Sequence, residues 1–214
     1  MIRYLTGGES HGRCILTIVD GIPAGLKVDK TAIDDELARR MLGYGRGKRM
    51  QIESDTVQIL SGLKSGRTIG SPVSMMIKNA DQSIERLPKI YEPRPGHADL
   101  SGVLKYGLDD IRDVLERASA RETVARVAVG ALSKILLGQF DIKVASHVVA
   151  IGAVACKART LTVEKITALS CRSPVMCADP SVSAAMCREI DRMALSGDTL
   201  GGVFEVIVDR KSVV

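Results

Sequence analysis

Arg117-Ala118-Ser119-Ala120-Arg121-Glu122-Thr123, residues 117–123 of the 214-residue chain, opens the stretch that decides the fold. Ser119 and Glu122 have the spacing of a capping box, which marks the start of a helix. Apolar side chains then recur at helical spacing as far as Gly138, a residue type that suits a helix end. The pattern predicts the main core helix over residues 119–138. Its apolar face consists of Val124, Val127, Ala128, Ala131, Leu132, Ile135 and Leu136.

Two further helices are predicted from their end signals. Thr31 and Asp34 have capping-box spacing, and two arginines follow where the last turn of a short helix would lie. A second helix begins at Pro180 behind Asp179 as N-cap and ends near Gly197. Its methionines are interpreted as core packing. The predicted buried side consists of Val182, Met186, Ile190 and Met193.

Five segments rich in β-branched or alternating residues are predicted to be strands. Strand and helix patterns do not alternate regularly, so an α+β class is favoured over a doubly wound parallel sheet. No repeat, linker or change of composition marks a boundary, and residues 1–214 are predicted to form a single domain. The predicted strands are residues 14–19, 56–61, 71–77, 143–154 and 203–208.

Composition limits the class of protein. Hydrophobic residues make up 45% of the chain and charged residues 26%, which is enough for one sizeable core. Aromatic residues make up only 3%, so a base-stacking surface for single-stranded nucleic acid is not expected. The net charge of +5 points to anionic ligands. The sequence starts without a signal-peptide pattern and contains no run of about 18 apolar residues, so neither export nor a membrane span is predicted.

The five cysteines form no Cys-x-x-Cys pair and lie mostly in apolar surroundings. This pattern is typical of reduced thiols in a cytoplasmic protein, and it predicts no zinc or other metal site. The cysteines are Cys14, Cys156, Cys171, Cys177 and Cys187.

A glycine-rich segment, Gly7-Gly8-Glu9-Ser10-His11-Gly12, could fold tightly and present backbone amides to a ligand. The adjacent side chains of Ser10 and His11 would point in opposite directions from an extended backbone. A serine-histidine nucleophilic pair is therefore not favoured. A glycine-rich surface turn is the alternative interpretation.

Residues 39–49 place five cationic side chains in a second glycine-rich segment: Arg39, Arg40, Arg46, Lys48 and Arg49. The residues around Gly47 and Lys48 do not complete a Walker phosphate loop. The segment favours recognition of a small polyanion. A solvated basic loop and a non-specific nucleic-acid contact are the alternatives.

The segment Arg94-Pro95-Gly96-His97-Ala98-Asp99 sets a histidine in a Pro-Gly turn between an arginine and an aspartate. Pro95 restricts the backbone and Gly96 permits close approach of a ligand. The ring of His97 is therefore expected to be held in a defined orientation. Proton chemistry is one interpretation, and a histidine that satisfies a loop carbonyl is the other. His147 lies in an apolar, strand-like run and is predicted to be structural.

Residues 117–123 also have the features of an anion-binding site. Free amides at a helix start, the positive end of the helix dipole, and the side chains of Arg117 and Arg121 meet there. A phosphate or carboxylate would bind well. The alternative is that Ser119 and Glu122 only cap the helix while the arginines are solvated, although capping and anion binding can coexist.

Together these segments resemble the amino-terminal part of the chorismate synthase family, in the same order. The resemblance extends from about residue 6 to about residue 206. It is carried by residues 8–12, 94–99 and 117–128, and residues 20–25, 43–47 and 201–203 are similar too.

The resemblance implies a phosphate lyase of aromatic amino acid biosynthesis. The implied reaction is the trans-1,4 elimination of phosphate from 5-enolpyruvylshikimate 3-phosphate to give chorismate, in the shikimate pathway. It requires reduced FMN without net redox change, and NADPH or an external reductase supplies the reduction. The resemblance also implies an α+β sandwich with helices packed between antiparallel sheets. A cytoplasmic homotetramer is implied, with neither nucleic acid nor membrane as partner.

The same resemblance implies roles for individual residues. His11 is the acid that protonates the departing phosphate, and His97 protonates the reduced flavin or supports it electrostatically. Arg117, Ala118 and Ser119 match the turn that contacts the flavin, and no metal is implied. Substrate phosphate and carboxylates are assigned to Ser10, Arg40, Arg46, Arg49, Arg94 and Arg121, with NADP as an alternative ligand of Arg40 and Arg46.

The chain departs from the family pattern near Val214. Family members continue with a second half that carries further flavin contacts, and residues 209–214 do not continue the expected segment. The sequence therefore predicts a chorismate synthase-like domain that is incomplete at the carboxy terminus. A non-catalytic truncated remnant and a small basic module that binds anions or nucleic acid are the alternatives to an active enzyme.

Overall fold

The computed structural model describes residues 1–45, 54–157 and 161–210. The chain divides into two compact units, Met1–Ala38 with Ile52–Leu132, and Arg39–Gln51 with Ser133–Val214. Both units contain helices and an antiparallel sheet. The α+β class expected from the sequence is therefore confirmed, whereas the assignment of a single domain stays a prediction.

The helices and strands follow one another irregularly along the chain. In order, the described elements are β1 (Arg3–Gly8), β2 (Cys14–Asp20), α1 (Lys30–Met41), β3 (Val57–Ile59), β4 (Leu63–Lys64), β5 (Arg67–Thr68), β6 (Val73–Lys78), α2 (Asp99–Tyr106), α3 (Ile111–Arg117), α4 (Thr123–Gly138), β7 (Ile142–Ile151), β8 (Val154–Ala155), α5 (Val163–Ser170), α6 (Pro180–Ser196) and β9 (Gly202–Arg210).

A four-stranded antiparallel sheet in the order β1-β2-β6-β3 organises the first unit. Alternate residues of β2 and β6 point into the core, and the residues between them are more exposed. This period of two is what a strand with one buried face requires. The inward side chains are Ile15, Val19, Val73, Met75 and Ile77, all buried.

All five predicted strands overlap observed strands. The predicted strand 143–154 overlaps both β7 and β8, which a tight turn separates. The unpredicted strands β4 and β5 are only two residues long and pair with each other. The unpredicted β1 ends in two glycines and has no fully buried residue, so it carries little strand signal.

Helix α1 starts differently from the prediction. Its cap is Asp29, whose Oδ1 accepts hydrogen bonds from the backbone N–H (2.9 Å) and the hydroxyl (2.7 Å) of Thr31. The carboxylate of Asp34 instead accepts a hydrogen bond from the backbone N–H of Val57 in β3, at 2.8 Å. The capping box predicted from Thr31 and Asp34 is therefore wrong, because a tertiary contact takes the second carboxylate.

Helix α4 begins at Thr123, later than predicted, because Ser119 caps a separate 3₁₀ turn. The hydroxyl of Ser119 accepts a hydrogen bond from the backbone N–H of Arg121 in that turn. The carboxylate of Glu122 accepts a hydrogen bond from the hydroxyl of Thr6 at 2.9 Å, and so ties the helix start to β1. The helix and its predicted end are confirmed, and of the predicted apolar face Val124, Ala128, Ala131 and Leu132 are buried. Val127, Ile135 and Leu136 are only partly buried, whereas Ala125 and Val129 are buried although they were not predicted.

The second unit is built on the three-stranded antiparallel sheet β8-β7-β9, against which α5 and α6 pack. Helix α6 has the predicted ends. Asp179 accepts hydrogen bonds from two amides of the first turn, Pro180 is the first helical residue, and Gly197 follows in the left-handed conformation with φ of 69°.

His147 of β7 lies directly opposite Glu205 of β9. Its Nε2 atom is 2.6 Å from a carboxylate oxygen of Glu205, and the residue is only 7% exposed. A cross-strand pair of this kind joins two neighbouring strands. This contact agrees with the structural role predicted for His147.

Candidate active site

The glycine-rich segment forms the connection between β1 and β2, whose last pair is Gly8 with Ile15. Gly8 has φ of 99°, and a Cβ atom there would lie 2.2 Å from the carbonyl oxygen of Cys14. Only glycine fits this position without a shift of the backbone. Residues 9–13, called the glycine loop below, therefore leave the sheet in one fixed direction.

Asn79 holds the glycine loop from beneath. Its side-chain amide donates hydrogen bonds to the carbonyls of Glu9 (2.9 Å) and Gly12 (2.8 Å). The guanidinium of Arg121 donates from Nε to the Asn79 side-chain oxygen at 2.9 Å. The loop is thus connected by hydrogen bonds to the 3₁₀ turn before α4.

His11 lies on the glycine loop against the end of α3. Its Nδ1 atom is 2.9 Å and 2.8 Å from the two carboxylate oxygens of Glu116, and its backbone N–H donates to the same carboxylate at 2.8 Å. The Nε2 atom on the other side of the ring is 3.8 Å from a carboxylate oxygen of Asp81. The His11 side chain is 22% exposed, so the ring can still meet a ligand.

The neighbouring Ser10 is buried and contacts the same structural element. Its backbone N–H donates to the carbonyl of Glu116 at 3.0 Å. Its hydroxyl accepts a hydrogen bond from the hydroxyl of Ser119 at 3.0 Å. Two residues assigned to different ligands by the family resemblance, Ser10 to substrate and Ser119 to flavin, are therefore in direct contact.

Arg117, the last residue of α3, bonds back to β1. Its guanidinium donates to the hydroxyl (2.7 Å) and the carbonyl (3.1 Å) of Thr6, and to the carbonyl of Gly8 at 3.4 Å. The backbone N–H of Ala118 donates to the carbonyl of Val114 within α3 at 2.8 Å. The predicted flavin turn therefore lies against the start of the glycine loop.

Arg121 is buried and paired inside the first unit. Its Nη1 atom is 2.7 Å from a carboxylate oxygen of Asp55, and both side chains are almost inaccessible to solvent. An anionic substrate that contacted this guanidinium would have to share it with Asp55. The substrate contact assigned to Arg121 stays a prediction.

The predicted proton-chemistry turn is held by an ion pair. The guanidinium of Arg94 binds the Asp99 carboxylate through Nε (2.9 Å) and Nη2 (3.0 Å), and the Arg94 backbone N–H donates to it at 3.0 Å. Hydrogen bonds from Arg94 lower the pKa of the buried Asp99 carboxyl to about 2. The turn is therefore closed by a carboxylate that stays ionised at neutral pH.

His97 itself is exposed, and its Nδ1 atom is 2.9 Å from the carbonyl oxygen of Pro95. This is the loop-carbonyl contact that the sequence offered as one of two interpretations. Because a carbonyl only accepts, Nδ1 carries the proton and Nε2 is left to face outward. A role in supporting a ligand is compatible with this arrangement and stays a prediction.

The remaining predicted substrate residues belong to the basic segment. Arg40 lies in the last turn of α1, in the second compact unit, with Nη1 at 3.7 Å from the sulfur of Met41. Arg46 and Arg49 lie outside the described residues.

Sequence reasoning missed Asn79, Glu116, Asp81 and Asp55. Each is a polar residue that matches no short motif, and its partners lie far away in the chain. Glu116, for instance, is 105 residues from His11. The available signal was the position of Glu116 next to the 117–123 segment and of Asn79 immediately after an apolar strand.

A cavity of about 710 Å³ opens beside the glycine loop and Arg117. Its wall mixes two arginines with three carboxylates, and its volume is in the range of small-molecule and cofactor sites. Gly8, Gly12, Arg13, Glu85, Asp113 and Arg117 contribute to it.

Two other kinds of site are not found in the described ranges. No group of three or more histidine, cysteine, aspartate or glutamate side chains there could hold a metal ion. None of the helices in those ranges combines the length and the apolar character that crossing a bilayer requires.

Comparison with known proteins gives one consistent result. A sequence model of the chorismate synthase family matches residues 2–213. A chorismate synthase from Symbiobacterium thermophilum is 51% identical over an alignment of 224 positions. The alignment covers 96% of this chain and 57% of that protein. One from Alkaliphilus metalliredigens is 49% identical and covers 97% of this chain, again over 57% of its own length.

A solved structure gives the same assignment for the fold. A crystal structure of chorismate synthase superimposes with a TM-score of 0.80 at 39% sequence identity, over 97% of this chain and 58% of the solved chain. The chain therefore spans about 57% of the length of the curated relatives that it matches. By sequence and by fold, the chain belongs to the chorismate synthase family.

Proposed function

We propose that this chain carries the part of a chorismate synthase active site that contains His11 and His97. That site eliminates phosphate from 5-enolpyruvylshikimate 3-phosphate to give chorismate. The observation that carries the proposal is the convergence of two family segments. The glycine loop and residues 117–123 meet through the Ser10 and Ser119 hydroxyls, and Glu116 contacts His11 at the same place.

His11 acts as the acid in this proposal. In the elimination the C–O electron pair leaves with the phosphate and the C–H hydrogen is lost as a proton to a base, while the C–H electrons and the existing ring double bond form a conjugated diene. The leaving phosphate needs a proton, and His11 can supply it from Nε2 because its Nδ1 atom is engaged by Glu116. Histidine suits this task since its ordinary pKa lies near neutral pH.

Arginines bind the anionic groups of the substrate. Guanidinium groups form paired hydrogen bonds with phosphate and carboxylate, and the substrate carries both kinds of group. Arg94, with its side chain 44% exposed, keeps a surface available beside the turn of His97. Ser10 assists through its hydroxyl. We assign the same role to Arg40, Arg46, Arg49 and Arg121, with NADP as the alternative ligand of Arg40 and Arg46.

The guanidinium of Arg117 is a donor of the type that binds a flavin phosphate. The adjoining cavity of about 710 Å³ is in the size range of cofactor sites, and the side chains of Arg13 and Arg117 border it together with three carboxylates. Arg117, Ala118 and Ser119 would hold reduced FMN, and His97 would support it through its outward Nε2. Reduced FMN bound there would supply electron density for an elimination that has no net redox change. NADPH or an external reductase keeps the cofactor reduced.

The proposal includes the assembly expected of the family. We propose a cytoplasmic homotetramer as the working form, without nucleic acid as a partner. The five free cysteines support a reducing compartment.

An anaerobic assay tests the proposal. The chain is mixed with chemically reduced FMN and 5-enolpyruvylshikimate 3-phosphate, and released phosphate is followed. Replacing the acid in His11→Ala should lower turnover by about 10²–10⁴-fold, and His97→Ala should lower turnover and weaken flavin binding.

The third histidine provides a matched control. His147→Gln removes a histidine of the second unit that has no proposed catalytic role, so its turnover should equal that of the unmodified chain. Turnover that survives both His11→Ala and His97→Ala would overturn the assignment of roles. Absence of phosphate release from the unmodified chain would favour the non-catalytic alternative.

A further inference from the structure

We propose that Glu116 is a positioning residue that keeps the proton of neutral His11 on Nδ1 and so selects Nε2 as the atom that delivers the catalytic proton. The inference rests on the proposed function for the meaning of that proton. The arrangement itself follows from contacts of described residues in one compact unit.

Glu116 contacts His11 through both of its carboxylate oxygens. Both carboxylate oxygens of Glu116 lie within hydrogen-bond distance of His11 Nδ1, at 2.8 Å and 2.9 Å. The His11 backbone N–H donates to one of the same oxygens at 2.8 Å. A single carboxylate therefore fixes both the ring and the backbone of the histidine.

The donors around Glu116 indicate which group donates the hydrogen bond between Glu116 and His11. Glu116 is 1% exposed, and Nη1 of Arg112 one turn earlier in α3 lies 3.6 Å from its Oε1. One oxygen accepts a hydrogen bond from the His11 backbone N–H, and the other faces the guanidinium of Arg112, so both oxygens of Glu116 are surrounded by donors. An ionised carboxylate can only accept hydrogen bonds, so the proton must be on Nδ1 of His11.

These contacts determine which nitrogen of His11 acts as the acid. Protonated His11 carries hydrogens on both nitrogens, and only Nε2 is directed away from Glu116, towards the side of Asp81. Loss of the Nε2 proton to a phosphate oxygen leaves a neutral ring that still holds its Nδ1 proton. Each turnover can then use the same nitrogen, because the tautomer does not have to be reset.

A purely structural role for Glu116 makes a different prediction. The backbone carbonyl of Glu116 accepts from the Ser10 amide regardless of the side chain, and an amide oxygen can still accept from the His11 backbone. Glu116→Gln therefore keeps anchors of the glycine loop while it removes the carboxylate. If Glu116 only held the loop, the ring tautomer of His11 would not respond to this change.

The decisive measurement is ¹⁵N NMR of the histidine rings in the full 214-residue chain at a pH where His11 is neutral. The chain has only three histidines, so the His11 signals can be assigned by their loss in His11→Ala. The unmodified chain should show a protonated Nδ1 and a bare Nε2. Glu116→Gln should move a large part of the population to the Nε2–H tautomer, and Glu116→Asp should restore part of the original signal.

A matched control separates this effect from general loss of a carboxylate. Glu122→Gln removes a neighbouring carboxylate whose hydrogen bonds in the described part of the chain are with Thr6 and Arg126, so the His11 tautomer should stay unchanged. An Nδ1–H tautomer that persists in folded Glu116→Gln would overturn the inference. So would an equal shift in Glu122→Gln.

Phosphate release forms a separate arm. If the proposed function holds, Glu116→Gln should lower kcat by about 10²-fold or more with little change in KM, because it affects the acid and not the anion contacts. An unchanged kcat would overturn the positioning role. A chain without any turnover would refute the proposed function for this form, while the tautomer measurement would still decide the inference about Glu116.

Discussion

Asp99→Asn should destabilise the protein at neutral pH by an amount that disappears in acid. The substitution removes the charge that pairs with the Arg94 guanidinium and closes the turn of His97. The remaining amide oxygen can still accept one hydrogen bond. The expected loss is therefore that of the ionic component.

The pKa of Asp99 gives the size and the sign of the effect. Binding by Arg94 lowers this pKa from 3.8 to about 2, and each pKa unit corresponds to about 1.4 kcal/mol. The Asp99 carboxylate is buried but the Arg94 side chain is 44% exposed, so solvent screening reduces the contribution to about 1–2 kcal/mol. A lowered folded-state pKa means that this stability is fully present above about pH 4 and is lost as the pH falls towards about 2.

Urea unfolding followed by circular dichroism measures this difference. The free energy of unfolding should differ between the unmodified chain and Asp99→Asn at neutral pH, and the two values should converge as the pH falls towards about 2. Glu164 serves as the control, because Lys143 lowers its pKa to about 2 as well but both side chains are about half exposed. Glu164→Gln should change little, and salt should abolish its effect. A stability difference for Asp99→Asn that stays constant from neutral to acid pH would refute the ionic explanation.

Two further substitutions and one control test the packing around the glycine loop. Asp55→Asn removes the carboxylate charge beside the buried guanidinium of Arg121 and should cost about 3–5 kcal/mol in urea unfolding; a loss below about 1 kcal/mol would show that water reaches the pair. Gly8→Ala forces a side chain against a backbone carbonyl 2.2 Å away at φ of 99° and should cost about 2–3 kcal/mol. Gly7→Ala meets nothing within 4 Å and should lie within about 1 kcal/mol of the unmodified chain, so equal losses for the two alanines would contradict the geometry.

The elements that could be predicted from the sequence are those with local signals. Helix α6 has its N-cap, its first-turn proline and its terminal glycine within the segment itself, and its ends lie where they were predicted. Helices α2 and α3 were not predicted because they have only eight and seven residues, too few for a clear period. Their packing is tight: a Cβ atom on Gly102 would lie 2.3 Å from a methyl group of Val114.

The residues of the candidate site also divide into those with a sequence signal and those without one. Ser10, His11 and Ser119 were found because their segments match a family pattern, and the structure brings all three into one network. The partners that hold them, Glu116 and Asn79, could not be found in this way. Their importance depends on tertiary contacts across more than 60 residues of chain, and no local period or propensity encodes such a contact.

The long sequence separation inside the glycine-loop network has a consequence for biosynthesis. Two of the hydrogen bonds that hold the loop, those to Glu116 and Ser119, join residues 105 and 109 positions apart. At a synthesis rate of about 5–20 residues per second, the loop waits roughly 5–20 s on the ribosome before these two partners exist. Contacts so far apart in the sequence form slowly, so the loop should reach its final form late, after the hairpin of β1 and β2. During that interval the nascent segment has to stay soluble without these partners. Its glycines restrict the backbone least, so they leave the segment free to adopt its final form later.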